Sequence, residues 1–416
     1  MRIRTTGVIV ASVLALAAAG CGGGSKAGTS SSTAPKAGGT LVIWADDQRT
    51  AALRPFADKF SAANGVKVQV QAISKDLQTT FVTASQSGKG PDIVVGAHDW
   101  IGNMVQNGAV DPVQLTDQQK SQFAGIALAA VTFNGQVYGV PYAIENLALI
   151  RNTDLAPTAP STMDDLVTAG KALKAGGKVT NIMSLQVGQT GDAYHIYPLF
   201  TSGGGYLFGT KANGDYDPTD LGVDKARSVA AFAKIRALGE KGSGALTRSI
   251  TADNAIPTFT ARKTAFLVSG PWAIPDVKKA GIHYDITPVP AFAGGSPAQP
   301  FVGVQAFYVA SRGKSKALAN EFVTNYLTQP DLQVALYQAN PRPPALTAAF
   351  DQVKTSDPDL EKFMAAGKGG AVLPAIPQMA AIWDPFGKAE AAIIAGADVP
   401  GTLAAAAKAI TDSIRK

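Results

Sequence analysis

The fold is decided in GTLVIWADDQRTAALRPFADKFSAANGVKVQVQAISKDLQTTFVTASQSGKGPDIVVG, residues 39–96. TLVIW (40–44) is a short β-rich run. Leu53, Phe56, Ala57 and Phe60 then recur at helical spacing until Gly65 stops the pattern. VKVQVQA (66–72) alternates apolar and polar residues as a half-buried strand does. Leu77 to Ser87 reads as a second helix, and Gly90-Pro91 leads into DIVVG (92–96), a strand of the fully buried type. Strand, helix, strand, helix, strand predicts an α/β fold around a largely parallel sheet.

The same grammar resumes downstream. Ser161-Thr162-Met163-Asp164 reads as a capping-box variant with Ser161 as the cap. Met163, Leu166, Val167 and Leu173 carry that helix to Gly176-Gly177. Lys225 to Leu238 is a further helix, TAFLVSG (264–270) a further strand, and helices dominate after Lys316. In α/β sheets ligands sit at the carboxyl ends of strands. The residues that follow TLVIW, DIVVG and TAFLVSG are therefore where a site is expected.

The stretch before the first strand has a different character. Arg2 and Arg4 precede an apolar run from Gly7 to Ala18, whose twelve residues would make a helix only about 18 Å long. That is too short for a ~30 Å hydrocarbon core and reads as a signal peptide over residues 1–20. Ala18-Ala19-Gly20-Cys21 resembles the lipobox of bacterial lipoproteins, with Ala18 where that family usually has Leu. The resemblance implies lipidation of Cys21; a secreted protein cleaved after Ala-x-Ala is the alternative. Cys21 is the single cysteine, so a disulfide framework and a cysteine metal site are both excluded. Residues 21–39 are rich in Gly, Ser and Thr, cannot bury apolar surface, and are expected to form a flexible tether.

The formal charge of +6 needs the same division. Without Arg2 and Arg4 it falls to +4, and without Lys26 and Lys36 the remaining body carries about +2. No basic run remains in that body, so nucleic-acid binding is not expected. The body contains no second apolar run of membrane-spanning length.

Catalytic and cofactor signatures are absent from the sequence. His98, His195 and His283 are isolated, no G-x-S-x-G occurs, and no G-x-G-x-x-G joins a strand to a helix. Gly313-Lys314-Ser315 ends like a phosphate loop, but Tyr308 stands where its leading glycine belongs. No cofactor and no metal are expected.

What accumulates after the strands is aromatic rings beside carboxylates. Trp44 is followed by Asp46, Asp47 and Arg49; DIVVG by His98, Asp99 and Trp100; TAFLVSG by Trp272. Glu145 sits in the apolar run AIENLALI, Asp192 precedes Tyr194, and Trp383-Asp384 lies between two helical segments. An indole face packs against the C–H face of a pyranose, and carboxylates accept several hydroxyl hydrogens at once. The pattern suits a neutral polyol better than a phosphate or nucleotide. Each member also has a structural reading: a Trp or Tyr in the core, Glu145 as a buried structural carboxylate, Asp46 or Asp192 as a helix cap.

Segments in order resemble the maltose/maltodextrin-binding proteins, solute receptors of ABC importers. They are GTLVIW, KF before GVKV, GPDIVVGAHDWIG, YGVPYAIENLALIRN, GGGYLF, NGDYD, GVD, SGPWAI, PFVGV, NEFVTNYL and IPQMAAIW. The resemblance runs from Gly39 nearly to the last residue. It implies a two-lobed α/β periplasmic-binding-protein-like fold of type II, with discontinuous lobes joined by hinge crossovers. The N-terminal lobe is expected over 40–145 and 306–352, the C-terminal lobe over 146–305 and 353–416, with crossovers near Glu145, Val304 and Asp357.

The same resemblance implies sugar contacts from Asp46, Asp47, Arg49, Asp99, Glu145, Asp192, Tyr194, Trp272 and Trp383, with an insertion of five residues within 187–192. This chain departs from the family in three places. Gly96 stands where a stacking tryptophan is usual, Trp100 replaces an arginine, and Gly387 replaces a late arginine. Trp100 is expected to restore the lost platform from a neighbouring position.

The function implied is a lipid-anchored, extracytoplasmic and monomeric receptor. It would bind a maltodextrin-type oligosaccharide, an α-glucan, and deliver it to the transmembrane subunits of an ABC permease, touching the membrane only through its anchor. A receptor for another sugar such as cyclodextrin or trehalose, a receptor for a peptide or osmolyte, and a glycoside hydrolase are the alternatives.

Overall fold

The computed structural model describes residues 39–212 and 214–415. The expected signal peptide, Cys21 and all but the last residue of the tether lie outside the described residues.

The opening stretch folds as its periodicity predicts. Strands β1 (Thr40–Ala45), β2 (Lys67–Ala72) and β3 (Ile93–Ala97) alternate with helices Asp47–Asn64 and Leu77–Gln86. β1 pairs in parallel with β2 on one side and β3 on the other. Gly65 ends the first helix at φ 65°, a left-handed conformation that costs glycine nothing. β2 is the edge strand, so its alternation gives only partial burial.

The remaining strands of the two main sheets are β4 (Gly139–Glu145), β5 (Ala148–Asn152), β6 (Ser184–Leu185), β7 (Phe266–Ser269), β8 (Tyr284–Thr287), β9 (Phe301–Val309) and β10 (Ala371–Val372). The first sheet runs β10-β9-β3-β1-β2, with β4 also paired to β9. β9 is antiparallel to both β3 and β4, so the parallel order expected from the opening stretch gives way to a mixed sheet. All nine residues of β9 are buried, which is why FVGVQAFYV shows little alternation. The second sheet runs β8-β5-β7-β6, with β5 antiparallel to both of its neighbours and β7 parallel to β6.

Each sheet has its own apolar core. One gathers residues from Leu41 to Ile144 and from Val302 to Ala349 around the first sheet. The others gather around the second sheet, from Leu147 to Phe301 and from Phe363 to Ile410. The chain passes between them at Glu145–Leu147 and again where Phe301 gives way to Val302. This is a two-lobed α/β fold.

One local expectation is corrected. The cap of helix Met163–Ala175 is Thr162, not Ser161: the Thr162 hydroxyl accepts from Asp165 N–H, and the Asp165 carboxylate accepts from Thr162 N–H. The box needs an acid three residues after the cap, and the Asp164-Asp165 pair made two registers readable in the sequence.

Candidate functional site

Five of the ten expected contact residues line one cavity of about 360 Å³: Asp99, Trp100, Glu145, Tyr194 and Trp383. Gln78, Gly303 and Gln305 line it with them, and none of these was singled out in the sequence. The volume falls within the range of small-ligand pockets, about 300–1,000 Å³.

The walls come from both halves of the fold. β3 ends at Ala97, and the single turn His98–Trp100 turns Asp99 and Trp100 out of the sheet. The Trp100 ring lies directly over Gly96. A Cβ built on Gly96 would fall 2.0 Å from the six-membered ring. The bare glycine is thus the seat of the indole. β7 ends the same way: the Trp272 ring lies over Gly270, with a Cβ there falling 2.1 Å from it.

In the second half Trp272 belongs to an aromatic group. Tyr194 lies 6.4 Å from Trp272 and 6.3 Å from Phe301, and Phe301 meets Trp383 edge-on at 6.4 Å. Tyr194 is carried on the first turn of helix Ala193–Ser202, which Asp192 caps by accepting from the N–H groups of Tyr194 (3.1 Å) and His195 (2.8 Å). Gln186 also donates to Asp192, and Glu390, fully buried on helix Trp383–Ile394, accepts the Asp192 N–H at 2.6 Å. Gly191, at φ 75°, packs its backbone onto the carbonyl of Gly387. A side chain at Gly191 would enter the Gly387 backbone, and one at Gly387 would crowd the Thr190 carbonyl, so Gly387 makes room for the loop that precedes Asp192.

Asp46, Asp47 and Arg49 fall outside this cavity. Asp46 caps helix Asp47–Asn64 through Arg49 N–H (2.8 Å) and pairs with the Arg49 guanidinium. Arg49 Nε–H donates to the Tyr142 hydroxyl at 2.9 Å and borders a separate small pocket with Tyr142 and Asn340. Asp47 is exposed and accepts from Ser74. Trp44 donates to Gln71 on the edge strand. The structural alternative weighed for Asp46 and Asp192, a helix cap, describes what both side chains do.

The charges of the site are largely paired. Burial pulls the Glu145 carboxyl upward, but Arg342 and Arg49 outweigh it and hold the group below the ordinary carboxylate range. Arg342 donates to Glu145 and lays its guanidinium 5.6 Å from the Trp272 ring centre. Arg342 was not recognised in the sequence; the run NPRPPA (340–345) carries no periodic or motif signal that marks it. Asp99 is the exception, since burial pushes its carboxyl up to about 7 against hydrogen bonds from its own backbone and Trp383. His98 is fully buried between the two halves: its Nδ1 accepts from Val304 N–H at 3.0 Å and its Nε2–H donates to the Leu373 carbonyl at 2.8 Å. Burial lowers it to about 4, so the ring stays neutral at physiological pH.

Several buried polar atoms around the cavity have no hydrogen-bond partner among the described residues: the Tyr194 hydroxyl, Gln305 Oε1 and Arg342 Nη1. Buried polar groups normally find partners, and a cluster of open ones beside aromatic faces is what a hydroxyl-bearing ligand can satisfy. Among the described residues no cluster of His, Cys, Asp and Glu can hold a metal ion, and no helix is long and apolar enough to cross a membrane.

A two-lobed α/β fold with a polar and aromatic cavity between its sheets is that of a solute receptor. The chain belongs to the family of bacterial extracellular solute-binding proteins, whose pattern matches residues 56–362. It is similar to a galactooligosaccharide-binding protein of Bacillus subtilis (25% identity, 93% of this chain and 91% of the relative). It is also similar to a maltooligosaccharide ABC transporter solute-binding lipoprotein of Streptococcus pneumoniae (28%, 83% and 81%). A maltodextrin-binding protein of Bacillus subtilis matches at 27% identity over 90% of this chain and 89% of its own length.

Proposed function

We propose that this protein is the receptor of an ABC importer for a maltodextrin-type oligosaccharide. The observation that carries the reading is the juxtaposition of indole and phenol rings with unpartnered buried polar atoms in one cavity. Three relatives that bind oligosaccharides support it. The electrostatics point the same way, since Arg342 is paired with Glu145 and Arg49 with Asp46, leaving neither cation free for a phosphate.

In this reading Asp99, Trp100, Tyr194, Trp272 and Trp383 contact sugar directly, Glu145 positions the side chains around it, and Asp192 acts through the helix that carries Tyr194. The lobes are residues 40–145 with 306–352 and residues 146–305 with 353–416, hinged at the crossovers, and ligand favours closure through contacts that both halves make. Cys21 carries a lipid anchor, the body is a monomer, and the partner is a membrane permease.

The test is a panel of maltose, maltotriose, galactooligosaccharide, cyclodextrin, trehalose and cellobiose, titrated calorimetrically. Micromolar binding of a maltooligosaccharide, about −8 kcal/mol, is expected. Trp272→Ala should lose roughly 2 kcal/mol or more of it. Undiminished binding by that variant would place the site elsewhere.

A raised Asp99 beside a depressed Glu145 is also the pattern of an acid–base pair in a glycoside hydrolase. Glu145, however, is held by Arg342 and Gln305 on its two oxygens, an arrangement for positioning rather than for attack. Maltooligosaccharides incubated with the pure protein should remain intact; their catalytic shortening would favour the hydrolase.

A further inference from the structure

Gln305 lines the cavity and Arg342 adjoins it through Glu145 and Trp272, yet neither has a part among the proposed sugar contacts. Glu145 holds both. Gln305 Nε2–H donates to Glu145 Oε1 at 2.7 Å, and Arg342 Nε–H donates to Oε2. Only the NH₂ end of an amide can face a carboxylate, so the orientation of Gln305 follows from chemistry. One acceptor, Gln305 Oε1, and one donor, Arg342 Nη1, are left over. Both are buried without a partner among the described residues, on side chains whose residues are 4% and 7% exposed.

The backbone fixes both arms. Gln305 lies in β9 where the register with β4 shifts between Gln305 and Ala306, an irregularity that re-aims a side chain. Arg342 lies in a segment with prolines at 341, 343 and 344, which runs alongside β4. Pro343 C=O accepts from Ile144 N–H at 2.8 Å, and Ala345 N–H donates to Tyr142 C=O at 3.0 Å. Trp272 from the other sheet covers the guanidinium.

We infer that Gln305 and Arg342 are specificity-determining ligand contacts, the acceptor and donor arms of a fork centred on Glu145 that reads two neighbouring hydroxyls on one sugar ring. The inference rests on the oligosaccharide reading and deepens it. One hydroxyl of a vicinal pair donates to Gln305 Oε1 and the other accepts from Arg342 Nη1. Glu145 is a positioning residue, and the fork selects a neutral ring with an intact diol. A ring lacking either hydroxyl leaves a buried donor or acceptor unpaired and should bind about tenfold or more weakly.

The experiment is calorimetric titration of maltotriose, and of a galactooligosaccharide if that is the ligand bound, into wild type, Gln305→Leu, Arg342→Lys, Glu145→Gln and Trp272→Ala. Ligand-free melting curves establish that each variant is folded. Q305L and R342K should each lose about tenfold or more in affinity. Q305L combined with E145Q should lose little beyond E145Q alone, because arm and hub act as one unit. If Q305L and R342K both bind within twofold of wild type while W272A loses binding, the fork does not touch ligand and the inference falls alone. If wild type binds no sugar of the panel, the oligosaccharide reading falls and takes the fork with it. Should R342K not melt cooperatively, Q305L, which removes no charge, decides.

Discussion

Asp99 and His98 are adjacent residues displaced in opposite directions. The Asp99 carboxyl, raised from 3.8 to about 7, keeps its proton in the folded state where the unfolded chain has lost it. Its contribution favours folding at low pH and fades as pH rises from about 4 to about 7. His98, lowered from 6.5 to about 4, favours folding above 6.5, and its contribution is lost as pH falls through 4. Between these limits the two slopes oppose. Asp99→Asn should therefore make the protein lose stability more steeply on acidification from pH 6.5 to 4, by up to about 1.4 kcal/mol per pH unit, as read from denaturant midpoints. A carboxylate that accepts sugar hydroxyls is held ionised, so binding near pH 6.5 should release a proton. Calorimetry in buffers of different ionisation enthalpy measures it, and the release should vanish in D99N.

Gly96 is equally testable at this scale. Gly96→Ala forces the Trp100 ring off its seat, and sugar affinity should fall about tenfold with a shift in tryptophan emission, while Gly96→Ala combined with Trp100→Leu should emit like Trp100→Leu alone. Trp100 and its glycine were legible in the sequence because both fall within the AHDW segment and the strand just before it, where the family resemblance marks a departure. Gln305 and Arg342 were not. Each meets Glu145 across 160 and 197 positions, and neither stands after one of the strands that sequence patterning exposed.

The element that governs the second half of the site is helix Ala193–Ser202 with its cap. Asp192 accepts two backbone N–H groups there, and Tyr194 takes its place from that turn. Asp192→Ala should cost about 1 kcal/mol or more of stability, in the range of lost N-caps, and weaken sugar binding without touching sugar. Gly191→Ala should be worse, since its Cβ would fall 1.7 Å from the Gly387 carbonyl oxygen at a positive φ. Strands and helices were legible here from periodicity and capping residues. Which acids cap and which face the cavity was not, because a cap and a ligand contact use the same residue types at the same positions after a strand.

At the scale of the molecule, the two cores meet through few segments, and the cavity lies where they meet. Ligand that bridges them should draw the halves together, visible as a fall in radius of gyration by X-ray scattering. At a hundredfold excess over Kd it should also add about 2.7 kcal/mol of stability. The mixed order of the first sheet escaped the sequence because β9 arrives from far along the chain, beyond the reach of any local pattern.

That late arrival has a consequence for how the protein is made. β9 lies between β3 and β4, yet Val304 is 206 positions beyond His98 and Gln305 is 160 positions beyond Glu145. During synthesis both flanking strands exist long before the strand that joins them, and closing such distant pairs is slow. The first sheet therefore cannot close until β9 has been made, and the two flanking strands stay unjoined until late in synthesis.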